Sequence, residues 1–226
     1  QSAIRPDSWT ATFEYEFPLL EADHEYELRW SEPLADGGEQ PASYRGVIRA
    51  TPDLTDRAYR IGLLNCHKTY TGGLKWNANG LWFPHDDLVR LVDHHDPDFL
   101  FFAGDQIYEG DLTPADRRGI EQSLLDYHYK WSKWYWAFEP LFRDRPCVAI
   151  PDDHDVYHGN IWGAGGRRAR GGNGLSAQDS GGYVMPPRFV NAVHATQVSH
   201  LPPSRIEPVI GDGYTTYTTS LVDAGV

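Results

Sequence analysis

Between residues 10 and 50, apolar and polar side chains alternate in three short stretches: Thr10-Ala11-Thr12-Phe13-Glu14-Tyr15-Glu16-Phe17, Glu25-Tyr26-Glu27-Leu28-Arg29-Trp30 and Tyr44-Arg45-Gly46-Val47-Ile48-Arg49. Asp, Gly and Pro punctuate the gaps. A period of two places successive side chains on opposite faces of extended chain, so these stretches predict strands of a small antiparallel sheet. A complete immunoglobulin-like sandwich takes about 100 residues. The segment therefore reads either as a minimal sheet or as the tail of a larger domain. Thr51-Pro52-Asp53 reads as a linker, which divides the chain into an N-terminal β segment, residues 1–55, and a second unit, residues 56–226.

From Tyr59 onward the pattern changes to α/β. Short apolar runs lead directly into chemically capable residues: Ile61-Gly62-Leu63-Leu64 into Asn65-Cys66-His67, Phe99-Leu100-Phe101-Phe102-Ala103 into Gly104-Asp105, and Cys147-Val148-Ala149-Ile150 into Pro151-Asp152-Asp153-His154. Continuous apolar runs predict strands buried on both faces. Leu88, Leu91, Val92 and His95 fall at i, i+3, i+4 and i+7, which predicts a helix with one face on the sheet. Pro114 to Phe142 predicts at least one long helix, with Leu124, Tyr127, Trp131, Trp134 and Phe138 at helical spacing. A glycine-rich loop from Asn160 to Gly174, a helix from Arg188 to His200 and a strand near Tyr214 to Thr218 follow.

Charge narrows the function. Lys plus Arg is 20 against 32 for Asp plus Glu, a net charge of -12. That balance opposes binding to a nucleic-acid duplex or an anionic membrane, both of which call for clustered cations. Bound metal ions can reverse the field locally, so an acidic chain can still process a phosphorylated substrate. No run reaches the roughly 18 apolar residues of a membrane span, and no basic-then-apolar signal peptide opens the chain. The start at Gln1 and the ending at Val226 read as those of a processed product or fragment. Two cysteines, Cys66 and Cys147, make no disulfide framework; a single bridge between them is the most they could form.

In open α/β sheets ligands bind beyond the carboxyl ends of the strands, and all three predicted strands end there in metal-competent side chains. In Gly104-Asp105-Gln106-Ile107-Tyr108-Glu109, an aspartate at the strand tip can bridge two cations with its two oxygens. A tyrosine three residues on can turn back to the same ion. Thiolate and phenolate donors from Cys66 and Tyr108 favour iron at one position; oxygen donors at the other suit calcium, zinc or manganese. In Asp152-Asp153-His154-Asp155 one carboxylate can ligate while His154 hydrogen-bonds a phosphate oxygen or leaving group. The bland alternative for this tetrapeptide is an N-cap turn.

Together these motifs resemble those of the PhoD-like alkaline phosphatases and phosphodiesterases, a branch of the calcineurin-like metallophosphoesterases. The GD-x-x-Y pattern is shared with purple acid phosphatases. The resemblance covers roughly residues 59–226. It implies a metallophosphoesterase-type β-sandwich core flanked by helices, preceded by an N-terminal β-sandwich. It further implies a binuclear site in which Cys66 and Tyr108 bind the iron-type metal, Asp105 bridges, Asp153 holds the second metal with Asn160 adding a ligand, and His154 faces the phosphate as catalytic histidine. The implied activity is hydrolysis of phosphate mono- or diesters by a metal-activated water, in an enzyme commonly exported. Two departures stand out: Asp155 replaces the usual Glu, and Tyr157-His158-Gly159-Asn160 replaces paired asparagines. The family's later His and Asp ligands would lie beyond Val226.

Other features have plainer readings. His94 and His95 read as a surface helix end, the Tyr127 to Trp136 aromatic band as core rather than a sugar or lipid platform, and Cys147 as a small buried hydrophobe. Arg167-Arg168-Ala169-Arg170 reads equally as an anion clamp or a solvated loop. The nearby glycines lack the GK[ST] ending of a P-loop, which excludes that class of nucleotide triphosphatase. Two rival functions stand beside the phosphoesterase: a noncatalytic binding fragment with an incomplete metal site, and a metal-dependent ester or amide hydrolase using His67 and the Asp cluster.

Overall fold

A computed structural model describes residues 10, 22–50, 52–72, 80–157, 168–172, 174, 176, 181–198, 213 and 214. The expected strand Thr10–Phe17 falls outside these residues except for Thr10. The same holds for most of the glycine-rich loop and, apart from Tyr214, for the last expected strand.

Strands β1 (His24–Pro33) and β2 (Glu39–Ile48) form an antiparallel hairpin in which His24 faces Ile48 and Pro33 faces Glu39. Its turn is closed by Gly37 N–H to the Leu34 carbonyl at 3.0 Å and by the Asp36 carboxylate, which accepts from Gly38 N–H at 3.0 Å. Gly37 has φ +84, the left-handed conformation such a turn needs and glycine adopts without strain. The hairpin is tied to the rest of the chain by Val47 N–H to Asp144 (2.9 Å) and Tyr26 hydroxyl to the Arg143 carbonyl (3.1 Å).

The second sheet is parallel, in the order β3 (Ile61–Leu64), β4 (Phe99–Phe102), β5 (Cys147–Ala149). Helix α1 (Asp86–His94) connects the first pair and α2 (Ile120–Phe142) the second, as parallel strands require crossovers. Helix α3 (Pro187–Val198) packs on α2 and on a 3-10 turn at His154–Val156 that follows β5. Among the described residues no helix is long and apolar enough to cross a membrane.

Two apolar clusters hold these elements. One lies between α2 and the sheet, with Leu64, Leu100, Phe102, Trp134, Phe138 and Leu141 buried; the other joins α2 to α3, with Leu124, Tyr127, Tyr157, Phe189 and Val193 buried. Trp131 touches both, so α2 is the element on which both sides of the molecule are built.

Three expectations need correction. Strand β3 is not covered on both faces: Ile61 is 63% and Leu63 67% exposed, because no described element packs on that face of the sheet. On α1 the inward face is Leu88, Val89 and Val92, whereas Leu91 is exposed and His95 already stands beyond the last turn. The aromatic band on α2 splits, Tyr127 and Trp134 being buried while Tyr129, Tyr135 and Trp136 are exposed. His94 and His95 do end a helix at the surface, and Cys66 and Cys147 are both free thiols. Burial pushes the Cys147 thiol up to about 11, as befits a side chain packed on the core.

Candidate metal centre

The carboxyl ends of β3, β4 and β5 lie side by side, and the loops leaving them are laced together. Cys66 N–H donates to the Gly104 carbonyl (3.2 Å), and His67 N–H to the Asp105 carbonyl (2.9 Å). Cys66 (φ 55) and Asp105 (φ 54) both adopt the left-handed conformation, uncommon for residues with a Cβ, and so turn sharply off their strands. Gly104 is needed for a different reason. At φ +100 it lets the β4 loop pass so close to the β5 loop that a Cβ there would stand 2.4 Å from the Cβ of Asp152. Gly104→Ala is therefore expected to lose about 1–3 kcal/mol from backbone strain and the clash; a denaturant titration indistinguishable from wild type would contradict this packing.

Asp105 is the centre of the arrangement, 6% exposed. Its Oδ2 accepts from the Tyr108 hydroxyl at 3.0 Å and from Cys66 Sγ at 3.4 Å, while its Oδ1 accepts from the backbone N–H of His154 at 3.3 Å. One oxygen thus faces the thiol and phenol, the other the Asp153-His154 turn. Ligand atoms of Asp105, Asp153 and His154 all lie within 4.8 Å of one another. Asp153 Oδ1 caps the 3-10 turn by accepting from His154 N–H at 2.9 Å, so a role as a cap and a place in the cluster coexist.

The electrostatics are those of a site with surplus negative charge. Burial, then the neighbouring Asp105 carboxylate, pushes the Asp153 carboxyl up. Burial, the hydrogen bond to Cys66 and the Asp105 charge hold the Tyr108 phenol far above its ordinary range. Partial burial likewise raises the Cys66 thiol. Thiol and phenol thus both stand within donor distance of one carboxylate oxygen. The donor set fits a metal: a cation about 2.0–2.3 Å from several donors sets those donors roughly 3–4 Å apart, the range seen here between Asp105 Oδ2 and its two neighbours.

His154 is oriented by a residue that sequence spacing gave no role. Its Nδ1 lies 2.8 Å from Glu109 Oε2, and its ring packs tilted against that of Tyr108 with the centroids 4.2 Å apart. Nδ1 is thereby committed to Glu109, which leaves Nε2 for a metal or a phosphate oxygen. The Glu109 hydrogen bond raises the imidazole's pKa against the opposing effect of burial. A histidine whose folded pKa exceeds its unfolded one adds stability that is complete below about pH 6.5 and disappears as pH rises through the folded value. In an NMR titration of the metal-free chain, His154 is expected to titrate above 6.5 and to shift down in Glu109→Gln; no change on substitution would contradict the pairing.

Asp155 supports the whole assembly from below. Fully buried, it accepts at Oδ2 from Asp105 N–H (2.7 Å) and Asp152 N–H (2.9 Å), and at Oδ1 from Ile107 N–H (3.1 Å) and Gln197 Nε2 (2.9 Å). Gln106 extends the network, donating to Gln197 Oε1 (2.8 Å) and the Ile150 carbonyl (2.9 Å). Burial pushes the Asp155 carboxyl up to about 7 against the pull of these donors. The shorter aspartate in place of the glutamate expected by resemblance sits tightly among backbone amides, a role visible only once both loops are placed.

The remaining sequence candidates divide. His67 does not join the cluster: it is 3% exposed, its Nδ1 accepts from Trp134 Nε1 (3.2 Å), its ring lies 4.4 Å from Phe138, and burial pushes it down to about 3. Asn160, His158 and Arg167 lie outside the described residues. Two cations that were not singled out border the site. Lys68 Nζ sits 4.4 Å over the Tyr108 ring and 3.0 Å from Asp111, and Arg117 reaches Glu109 at 3.5 Å and the Tyr157 carbonyl at 2.9 Å.

No family model matches the chain, and no curated protein does. Among solved structures it is similar to a purple acid phosphatase from yellow lupin (Lupinus luteus) seeds, with 15% identity, TM-score 0.37, and 70% of this chain and 24% of that one covered. It is also similar to PhoD, with 15% identity, TM-score 0.45, and 85% of this chain and 34% of that one covered. The chain spans about a quarter to a third of the length of these two proteins.

Proposed function

We propose that this chain carries the first part of a binuclear metal site for hydrolysis of phosphate mono- or diesters, the activity implied by its resemblance to PhoD-like enzymes. The observation that carries the reading is the division of Asp105, with one oxygen turned to Cys66 and Tyr108 and the other to the Asp153-His154 turn. Cys66 and Tyr108 would hold iron on the first side. Asp153, with Asn160, would hold calcium, zinc or manganese on the second. Such a pair of cations lowers the pKa of an attacking water and offsets charge on the phosphoryl oxygens. His154, fixed through Nδ1 by Glu109, presents Nε2 to a phosphoryl or leaving-group oxygen and can give it a proton.

The ester or amide hydrolase reading loses one of its candidate groups, because His67 is enclosed by aromatic rings, while the Asp cluster would serve either reaction. The test is a substrate panel run on the metal-reconstituted protein: phenyl phosphate, bis-(p-nitrophenyl) phosphate and p-nitrophenyl acetate, each with and without chelator. Chelator-sensitive turnover of a phosphate ester with none of the acetate is expected. Turnover of the acetate alone, or of nothing by a chain with full metal content, would overturn the proposal.

A further inference from the structure

The two cations at the rim are held by the same side chains that build the centre. Lys68 follows directly on the Cys66-His67 turn. Its ammonium lies over the Tyr108 ring and donates to Asp111 Oδ1 (3.0 Å), whose other oxygen accepts from Thr69 N–H (2.8 Å), Tyr70 N–H (3.1 Å) and the Thr69 hydroxyl (3.2 Å). Arg117 approaches from the loop before α2. It is anchored to the Tyr157 carbonyl and touches Glu109, the carboxylate that also holds His154.

Both side chains remain open to solvent, 43% exposed for Lys68 and 48% for Arg117. An ammonium has three donors and a guanidinium five. Lys68 donates to one described partner, Asp111, and Arg117 makes one close bond, to Tyr157, beside its longer contact with Glu109. In a chain of net charge -12, two cations whose donors are not all used among the described residues stand on two different loops, Lys68 directly over the Tyr108 ring and Arg117 joined to His154 through Glu109. A phosphate at the centre would engage the metals and His154, and nothing in that engagement calls on these two side chains.

Building on the proposed phosphoesterase site, we infer that Lys68 and Arg117 recognise a second anionic group on the substrate, so that the preferred substrates are phosphate esters whose alcohol portion carries another phosphate or a carboxylate. A cation of this kind contributes charge-assisted hydrogen bonds whose loss is felt only by ligands that reach it. The preference therefore appears as a ratio between two ligands that differ in the second anion alone.

The experiment is calorimetric binding to the metal-loaded chain of three non-hydrolysable ligands: phenylphosphonate, 3-carboxyphenylphosphonate and benzene-1,3-diphosphonate. The two ligands with a second anionic group separate a carboxylate from a phosphate-like one. At least one is expected to bind about tenfold more tightly than phenylphosphonate, with the ratio falling toward unity in Lys68→Gln and Arg117→Gln. Arg117→Lys, which keeps the charge, should retain part of it and serves as the check that loss is not general misfolding. Binding of phenylphosphonate with no gain from either second anion, or a gain unaffected by both substitutions, overturns this inference alone. Failure of all three ligands to bind overturns it together with the phosphate site on which it rests.

Discussion

Asp155→Ala is expected to lower the melting temperature by roughly 10 °C or more. The substitution removes one carboxylate, both of whose oxygens accept, and orphans four donors: the N–H groups of Asp105, Ile107 and Asp152 and the Gln197 amide. A buried donor left unsatisfied costs about 1–3 kcal/mol, and for a chain of this size each kcal/mol is worth about 2–4 °C. Asp155→Asn keeps an oxygen acceptor and should lose less. The difference between wild type and Asp155→Ala also depends on pH. The native carboxyl, pushed up to about 7, holds its proton more tightly than the unfolded chain does; its protonated form therefore stabilises the native state at low pH, an advantage that fades as pH rises from about 4 to 7. The gap between the two proteins should thus be wider at pH 5 than at pH 7.5. A wild-type melting curve for the alanine variant would contradict the proposed role.

Asp105→Asn is expected to have the larger effect on chemistry. Among the described residues, this carboxylate is the one whose two oxygens face different sets of candidate ligands, so neutralising it weakens both positions at once. The Cys66 and Tyr108 substitutions should each weaken one. With several kcal/mol of charge stabilisation lost, phosphate-ester turnover should fall about a thousandfold, and metal content should drop at both positions. Its folding should change little, since the Asp105 backbone N–H still reaches Asp155. Retention of both metals in Asp105→Asn would refute the bridging assignment, and loss of one only would place Asp105 on a single ion.

Much of this arrangement was legible in the sequence because strand-then-chemistry is a local signal. Three apolar runs ending in Cys66, Asp105 and Asp153-His154 suffice to place those residues at one sheet edge, since parallel strands share a carboxyl end. Helix α2 was equally readable, its buried Leu124, Tyr127, Trp134 and Phe138 following from spacing alone. What spacing could not give were contacts between separate loops. Glu109 was within the quoted hexapeptide, yet its partner is 45 residues away. Asp155 looked like a mild departure in a motif, and its function depends on Gln197, 42 residues on. The solvent exposure of β3 was misread for a related reason. A continuous apolar run states what a strand could bury, whereas a partner layer decides whether it does.

The central claim is that Cys66, Asp105 and Tyr108 form one side of a binuclear metal site. It is tested most directly by measuring metal content and the visible absorption spectrum of the protein purified anaerobically and under air, for wild type and Tyr108→Phe. Bound iron with a phenolate charge-transfer band that disappears in Tyr108→Phe is the predicted result. A folded wild-type protein without stoichiometric metal, or a band that survives the substitution, would contradict it.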